Sequence, residues 1–217
     1  MTGRRDFRMN QIKGIYLILD QQYAARDIVS IAMDAIDAGV DVLQYRYKGI
    51  SNKDAFYIAE KLRNLTSGTG IPFIINDDPA LALAVDADGV HLGQEDIPVH
   101  IARRILGKDK IIGLSTHSYK EAIEADSPEI NYIGFGPIFK SGTKMVTAPL
   151  GPEAISLVKS AISIPIIAIG GISDENIADV IRYGADGAAV ISSILSSSDI
   201  KKSVRNFKEK IREFHGV

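Results

Sequence analysis

The chain has 217 residues and no cysteine. This length can form one domain with a full hydrophobic core, and the lack of cysteine excludes disulfides, thiolate nucleophiles and Cys-ligated metals. The 25 Lys and Arg residues against 27 Asp and Glu give a net charge of −2, so no bulk basic field attracts nucleic acid or an anionic membrane. No apolar run approaches the roughly 18 residues of a membrane span, and the arginine-containing N-terminus lacks a signal-type apolar segment. We therefore expect a soluble, cytoplasmic protein without nucleic-acid or membrane partners.

Short β-branched apolar runs alternate with segments of helical spacing from one end of the chain to the other. Apolar stripes predict helices over residues 28–36 and 55–65, and a third stripe over residues 204–214 predicts a docked final helix. Gly39 and Gly184 are placed to end helices before the next strand. The eight predicted strands are Gly14–Leu19, Asp41–Tyr45, Pro72–Ile75, Gly89–Leu92, Lys110–Leu114, Asn131–Phe135, Pro165–Ile169 and Gly187–Ile191.

Eight strand-and-helix units predict an α/β fold, a single-domain (β/α)₈ TIM barrel over residues 1–217, with residues 1–12 as a flexible N-terminal extension. The continuously apolar strands fit a parallel sheet covered by helices. An open doubly wound sheet is the competing architecture, but it does not require eight regular units. In a (β/α)₈ barrel the loops after the strands form the active face, so the functional residues are expected there.

The second predicted strand continues into the charged run Gln44-Tyr45-Arg46-Tyr47-Lys48. Alternation along a strand places Gln44, Arg46 and Lys48 on one side, facing the barrel interior or its mouth. Two inward cations are costly unless an anion meets them. This strand therefore predicts an anion site.

Carboxylates follow the third and fourth strands. Asp77 and Asp96 are expected at the same side of the mouth, where two like charges repel unless a cation lies between them. Oxygen ligands without His or Cys suit Mg²⁺, with substrate phosphate and water completing the coordination. Asp78 is predicted to be only a helix N-cap before a proline, whereas Asp96 can serve as both cap and ligand.

The remaining strand ends carry hydroxyls, glycines and one histidine. Ser115 and His117 follow the fifth strand, and His117 is either an acid or base or a structural residue near a helix start. The loop after the sixth strand is polar and contains Lys144. The Gly170-Gly171 pair and the Ile191–Ser193 segment follow the last two strands, where barrels commonly bind phosphate through backbone N–H groups.

These loops predict two anion sites, one with metal and cationic side chains and one built mainly from backbone. A diphosphate suits the first and a monophosphate the second. We therefore predict a transferase that joins two phosphorylated small molecules, with the metal and cations stabilising a departing diphosphate. No Ser-His-Asp nucleophile is recognisable.

Seven motifs in order, QYRYK, INDD, DGVHLGQED, GLSTHS, FGPIFKSGTK, AIGGI and AAVISSI, resemble the thiamine-phosphate synthase family from about Tyr16 to Ile194. The resemblance implies a (β/α)₈ enzyme that couples hydroxymethylpyrimidine diphosphate to thiazole phosphate and releases diphosphate, with Mg²⁺ as cofactor. It also implies a dissociative step, in which the bond to diphosphate breaks before the thiazole nitrogen attacks.

The resemblance also implies a role for each matching residue. Arg46, Lys48, Ser115 and Lys144 are the predicted catalytic residues. The implied contacts to the pyrimidine diphosphate are Gln44, Arg46, Lys48, Asn76, Ser115 and Lys144; the implied magnesium ligands are Asp77 and Asp96; and the implied contacts to the thiazole phosphate are Ser141, Gly142, Thr143, Gly171, Ile191 and Ser192. Two departures from the family pattern are Lys140-Ser141, where the family usually has Pro-Thr, and Tyr47, where it often has Glu.

Three alternative functions remain. A thiazole tautomerase-like isomerase of the same fold needs no diphosphate site and could use His117, but such relatives typically lack the magnesium aspartates. A ligand-binding regulator without turnover is a second alternative. A sugar-phosphate epimerase would explain the last two loops but not the cation-rich second strand.

Overall fold

A closed barrel of eight parallel strands forms the centre of the molecule. The structure is a computed structural model that describes residues 12–140 and 148–215. Each strand pairs in parallel with the next, and the last pairs with the first, so the sheet has no free edge. The (β/α)₈ barrel is confirmed, and each predicted strand is present within two residues of its predicted bounds. The strands are β1 (Gly14–Asp20), β2 (Val42–Arg46), β3 (Phe73–Asn76), β4 (Gly89–Leu92), β5 (Ile111–Thr116), β6 (Tyr132–Phe135), β7 (Ile166–Ile169) and β8 (Gly187–Val190).

Helices follow the strands and cover the outside of the barrel. They are α1 (Ile28–Asp37), α2 (Asn52–Thr66), α3 (Pro79–Ala84), α4 (Val99–Leu106), α5 (Tyr119–Glu124), α6 (Glu153–Lys159), α7 (Ile177–Arg182), α8 (Ser192–Leu195) and α9 (Ile200–His215). Gly39 and Gly184, with φ of +86° and +99°, follow α1 and α7 in the left-handed region that favours glycine. Within residues 12–140 and 148–215, no helix combines the length and apolarity that crossing a bilayer requires.

Apolar side chains fill two separate regions. The larger one lies between the strands and the helices, and it includes Val204 and Phe207 of the docked final helix. The smaller one fills the inside of the barrel. Its buried members are Ile12, Tyr16, Ile18, Val42, Ile74, Ile111, Tyr132, Ile167 and Ala189. The barrel is therefore a packed core whose functional surface lies at its rim.

Four polar residues at the starts of the even-numbered strands fasten the base of the barrel. Each accepts a backbone N–H from the preceding strand and a hydrogen bond from a cationic side chain. Asp41 accepts from the N–H of Ile15 (2.9 Å) and from Lys208 (3.1 Å), and Asp88 accepts from the N–H of Phe73 (2.9 Å) and from Arg63 (3.1 Å). Asn131 accepts from the N–H of Ile112 (2.8 Å) and from Arg103 (2.9 Å), and Asp186 accepts from the N–H of Ile166 (2.8 Å) and from Lys159 (2.6 Å). These side chains therefore have structural partners, away from the carboxyl ends of the strands.

Candidate functional site

The polar residues at the end of β2 face the barrel interior or its mouth, as alternation predicts. Gln44 is 2% exposed, and its Nε2 donates to the hydroxyl of Tyr16 at 2.8 Å. The Arg46 guanidinium forms an ion pair with Asp20. Nζ of Lys48 donates to Asp77 at 3.0 Å. The two cations therefore lie at the carboxyl end of β2, and each contacts one carboxylate from a neighbouring strand end, Asp20 of β1 or Asp77 after β3.

Asp20 lies beside the predicted site residues but was not predicted from the sequence. It ends β1 directly opposite Arg46 in the register and is 1% exposed. One carboxylate oxygen accepts the N–H of Gln22 at 3.0 Å, and the other holds the guanidinium of Arg46. The sequence signal was an acidic residue directly after an apolar strand. A buried carboxylate with these partners fixes where the arginine points.

Asp77 and Asp96 come together at the mouth. Asp77 follows β3, with φ of +65°, a region that Asp tolerates better than most residues. The carboxylate of Asp96 accepts the N–H of Gly93 at 2.6 Å. Burial raises the pKa of Asp96, the Gly93 N–H partly offsets this, and the neighbouring Asp77 carboxylate raises it further. The charge of this pair is therefore only partly compensated by the protein.

Asp96 and Asp78 differ in their capping roles. The Asp78 carboxylate accepts the N–H of Leu81 at 2.9 Å and caps α3, as predicted. It also accepts the Tyr47 hydroxyl at 2.8 Å. Asp96 does not cap α4, which starts after Pro98 without a side-chain cap. Asp96 bonds back to its own loop instead, so its predicted capping role was wrong.

A chain of hydrogen bonds crosses the barrel interior, and only its two end residues, Gln44 and Ser115, were among the predicted site residues. This interior polar chain consists of Gln44, Tyr16, Tyr132, His91 and Ser115. Burial lowers the pKa of His91 to about 4 and raises the pKa of the Tyr16 and Tyr132 hydroxyls. The ring is therefore neutral and both phenols are protonated near pH 7. Alternation along β1, β4 and β6 was the available signal, since all three residues face inward.

Two further predicted residues lie at the ends of β3 and β5. Asn76 pairs in register with His91 and is partly buried. Ser115 is also partly buried, and its carbonyl accepts Nε2 of Gln94 at 2.6 Å. A cavity of about 20 Å³ lies beneath them, lined in part by Gln44, His91 and Ser115. A space of that volume holds about one water molecule, so it is too small for a substrate-sized molecule.

His117 has a local structural environment. Its backbone N–H donates to Glu121 Oε2 at 2.8 Å, and its Nδ1 lies 3.3 Å from the same atom. Glu121 lies in the first turn of α5. The structure therefore shows His117 in contact with the first turn of α5, as a structural residue near a helix start would be.

The ends of β7 and β8 form a second polar region. Gly170 and Gly171 have φ of +99° and +63°, and a β-carbon at either one would collide with the loop after β6. Ile191 precedes α8, and Ser192, its first residue, is exposed. The Ser193 hydroxyl is engaged with the carbonyl of Ile172 at 2.5 Å. Glycine backbone beside an open helix start is suited to an anion.

Four predicted residues lie outside the described part of the chain. The loop after β6 is described up to Lys140 and again from Ala148. The predicted contacts in the gap are Ser141, Gly142, Thr143 and Lys144. Their roles stay predictions.

The fold and the polar mouth define a (β/α)₈ barrel whose carboxyl face is suited to anionic small molecules. Residues 15–194 match the sequence profile of the thiamine monophosphate synthase family. A thiamine-phosphate synthase from Clostridium botulinum (strain Loch Maree / Type A3) is 44% identical over 195 residues, which cover 89% of this chain and 95% of that protein. One from Methanosarcina barkeri (strain Fusaro / DSM 804) is 43% identical over 198 residues, which cover 91% and 90%.

A solved structure supports the same assignment. Thiamine phosphate pyrophosphorylase from Pyrococcus furiosus matches with a TM-score of 0.86 and 32% identity, covering 95% of this chain and 98% of that one. The chain belongs to the thiamine monophosphate synthase family. The resemblance seen in the sequence motifs is therefore confirmed.

Proposed function

We propose that the protein transfers the hydroxymethylpyrimidine group from its diphosphate to thiazole phosphate, which gives thiamine phosphate and diphosphate. The observation that carries the proposal is the meeting of Asp77, Asp96, Arg46 and Lys48 at one mouth, within a chain 44% identical to a thiamine-phosphate synthase. The transferase activity predicted from the sequence agrees with this relationship. A cytoplasmic location is part of the proposal, because the substrates are phosphorylated metabolites.

Asp77 and Asp96 are the residues that would hold Mg²⁺. The two carboxylates lie close enough for each to affect the ionisation of the other, and carboxylate oxygens are the donors that Mg²⁺ prefers. Among the described residues, no group of three or more His, Asp and Glu side chains is arranged to hold a metal ion. A pair of carboxylates fits an ion that takes its other ligands from substrate phosphate and water. When bound, the ion supplies positive charge that stabilises the departing diphosphate.

The diphosphate would be held by the β2 cations and by neighbouring polar groups. Arg46 is oriented by the buried Asp20, and Lys48 is partly exposed beside Asp77. Ser115 and Asn76 add a hydroxyl and an amide from β5 and β3. Gln44 lies deeper, and Lys144, from the resemblance, would approach from the loop after β6. These residues would neutralise and position the leaving group.

The thiazole phosphate would lie at the ends of β7 and β8. Gly171 lets the backbone come close to an anion, and Ile191 and Ser192 begin a helix whose first N–H groups are open. The resemblance adds Ser141, Gly142 and Thr143 from the loop after β6. Two separate anion regions in one mouth would place the two substrates side by side.

The reaction requires no strong base. The C–O bond to diphosphate breaks, and its electron pair leaves with the diphosphate. The electron-rich aminopyrimidine supports the resulting cation, and the lone pair of the thiazole nitrogen then forms the new C–N bond. The only histidine in the described chain that faces the barrel interior is His91, which is neutral near pH 7, and His117 bonds locally. The role of the protein is thus to bind charge and orient the two substrates.

The Asp77–Asp96 pair also discriminates among the alternatives. A tautomerase-like isomerase needs no diphosphate site, and a non-catalytic binder would gain nothing from two mutually repelling carboxylates. An epimerase of sugar phosphates would leave the β2 cations unexplained. The pair and the cations together favour transfer from a diphosphate.

The test is an assay with both phosphorylated precursors. We expect thiamine phosphate and diphosphate in equal amounts with Mg²⁺, no product with a chelator, and full recovery when Mg²⁺ is added in excess. Omitting either precursor is the control for each substrate. A folded protein that forms no product with both precursors and Mg²⁺ would contradict the proposal.

A further inference from the structure

The interior polar chain is continuous from β2 to the candidate diphosphate site. Gln44 Nε2 lies 2.8 Å from the Tyr16 hydroxyl, which lies 2.6 Å from the Tyr132 hydroxyl. The Tyr132 hydroxyl lies 3.0 Å from Nδ1 of His91, and Nε2 of His91 lies 2.9 Å from Oγ of Ser115. Each residue comes from a different strand. Gln44, Tyr16 and Tyr132 are buried, whereas His91 and Ser115 are partly buried, and the Ser115 carbonyl accepts Nε2 of Gln94.

Two glycines make room for this chain inside the barrel. A β-carbon at Gly113 of β5 would collide with the ring of Tyr132. A β-carbon at Gly134 of β6 would lie 3.1 Å from Cε1 of His91. The barrel interior thus gives up packing volume at two positions to accommodate these rings. Glycines in the neighbouring strands β5 and β6 therefore provide the space that the rings of Tyr132 and His91 occupy.

Donor and acceptor capacity gives the chain a direction. The Gln44 amide nitrogen can only donate, so the Tyr16 oxygen accepts from it. If Tyr132 also donated to Tyr16, the Tyr16 proton would have no acceptor in the chain. Every proton has an acceptor when each tyrosine donates to the next group.

The direction determines the state of the last two residues. Tyr132 then donates to Nδ1 of His91, so that nitrogen carries no proton and the ring proton lies on Nε2. That N–H donates to Oγ of Ser115. Because Nε2 carries the ring proton, it offers no lone pair to the serine hydroxyl, whose own proton must point to another acceptor. A hydroxyl in that state suits an anionic oxygen at the mouth.

We propose that the interior polar chain, from Gln44 through His91, fixes the Ser115 hydroxyl as a hydrogen-bond donor to the diphosphate of the substrate. The inference rests on the proposed function, in which Ser115 contacts that diphosphate. Tyr16, Tyr132 and His91 are positioning residues, because they act through Ser115 and lie beneath the substrate. They were not among the site residues predicted from the sequence.

The first experiment is a double-mutant cycle between Tyr132→Phe and Ser115→Ala. We expect Ser115→Ala to lower kcat/KM about 100-fold, and Tyr132→Phe, which keeps the ring, to lower it about tenfold. In the Ser115→Ala background, Tyr132→Phe should have less than about a twofold effect, because its partner is already lost. Equal losses in both backgrounds would overturn the proposal and show a merely structural role.

Tyr45→Phe is the matched control. The Tyr45 hydroxyl is buried on the outer side of β2 and has no hydrogen-bond partner among the described residues. Removing it should leave kcat/KM unchanged. The affinity of each variant for inorganic diphosphate with Mg²⁺, measured by calorimetry, gives the same comparison without turnover. A Tyr132→Phe variant that binds diphosphate as tightly as wild type would also overturn the proposal.

The second experiment needs no substitution. Nitrogen-15 NMR of the wild-type protein reports which nitrogen of His91 carries the proton. We expect the Nε2–H form, and the Nδ1–H form would overturn the proposed direction. The two proposals fail separately: wild-type protein that forms no thiamine phosphate defeats the proposed function, whereas an active enzyme with the Nδ1–H form defeats only the role of the interior polar chain.

Discussion

Strand β4 has an aspartate near each end, and the two carboxylates have different surroundings. Asp88, at the base, accepts the N–H of Phe73 at 2.9 Å and a hydrogen bond from Arg63 at 3.1 Å. Asp96, at the mouth, accepts the N–H of Gly93 and faces a second carboxylate, Asp77. The base carboxylate is paired with a cation of the fold, whereas the mouth brings two carboxylates together, an arrangement that the proposed function explains by a bound Mg²⁺ ion. Under the proposed function, the aspartate at the base of the strand is structural and the aspartate at the mouth is functional.

The largest expected effect is the loss of activity on removing the mouth carboxylate. Asp96→Ala should lower kcat/KM at least about 100-fold, because one of the two groups that would hold Mg²⁺ is lost. The melting temperature should change little or rise, since a repulsion within the protein is relieved. Steady-state assays and thermal denaturation measure the two quantities. Asp96→Asn, which can still accept the Gly93 N–H, separates charge from loop structure, and unchanged activity in both variants would refute the ligand role.

The two anion regions can be separated by a charge placed in one of them. Ser192→Asp should raise the KM for thiazole phosphate at least about tenfold, equal to ~1.4 kcal/mol, because an added carboxylate repels the phosphate. The KM for the pyrimidine diphosphate should change much less. Ser198→Asp, at an exposed position beyond α8, is the control for added charge. Equal increases in both KM values would argue against two separate regions.

The base aspartate should show the opposite pattern to the mouth aspartate. Asp88→Ala should lower the free energy of unfolding by about 2 kcal/mol, because the Phe73 N–H and Arg63 lose their partner. The kcat/KM of the folded protein should not change. Denaturant unfolding and steady-state assays check this. Asp88→Asn keeps an acceptor for the N–H and should lose less stability; a fall in kcat/KM with either variant would break the distinction between base and mouth.

The strands and the site-bearing loops were predictable because each rests on local pattern. Apolar runs separated by helical stripes indicated eight strands in order, and polar residues directly after strands indicated Arg46, Lys48, Asp77 and Asp96. Local pattern no longer suffices where two partners come from different strands. Asp20, which holds Arg46, is 26 positions away along the chain, and nothing in its own segment marks that arginine as its partner.

The interior polar chain was harder to foresee for a different reason. Tyr16 and Tyr132 are 116 positions apart, and each alone resembles an ordinary buried aromatic residue. Only barrel closure, which sets β1 beside β2 and β8, brings their hydroxyls together. A polar residue in an apolar strand indicates an interior partner, but the sequence does not say which one.

The smallest expected effect concerns His117, the residue that an isomerase of this fold could use. Its backbone N–H bond to Glu121 survives in His117→Ala, and only the 3.3 Å side-chain contact is lost. We expect kcat/KM to stay within about twofold and the free energy of unfolding within about 0.5 kcal/mol, as for most surface substitutions. Steady-state assays with both precursors and denaturant unfolding measure these values, and Lys120→Ala at a nearby exposed position is the control. A 100-fold loss of activity would give His117 a role in the chemistry, and the mouth would then need a proton-transfer step that its paired carboxylates and cations do not require.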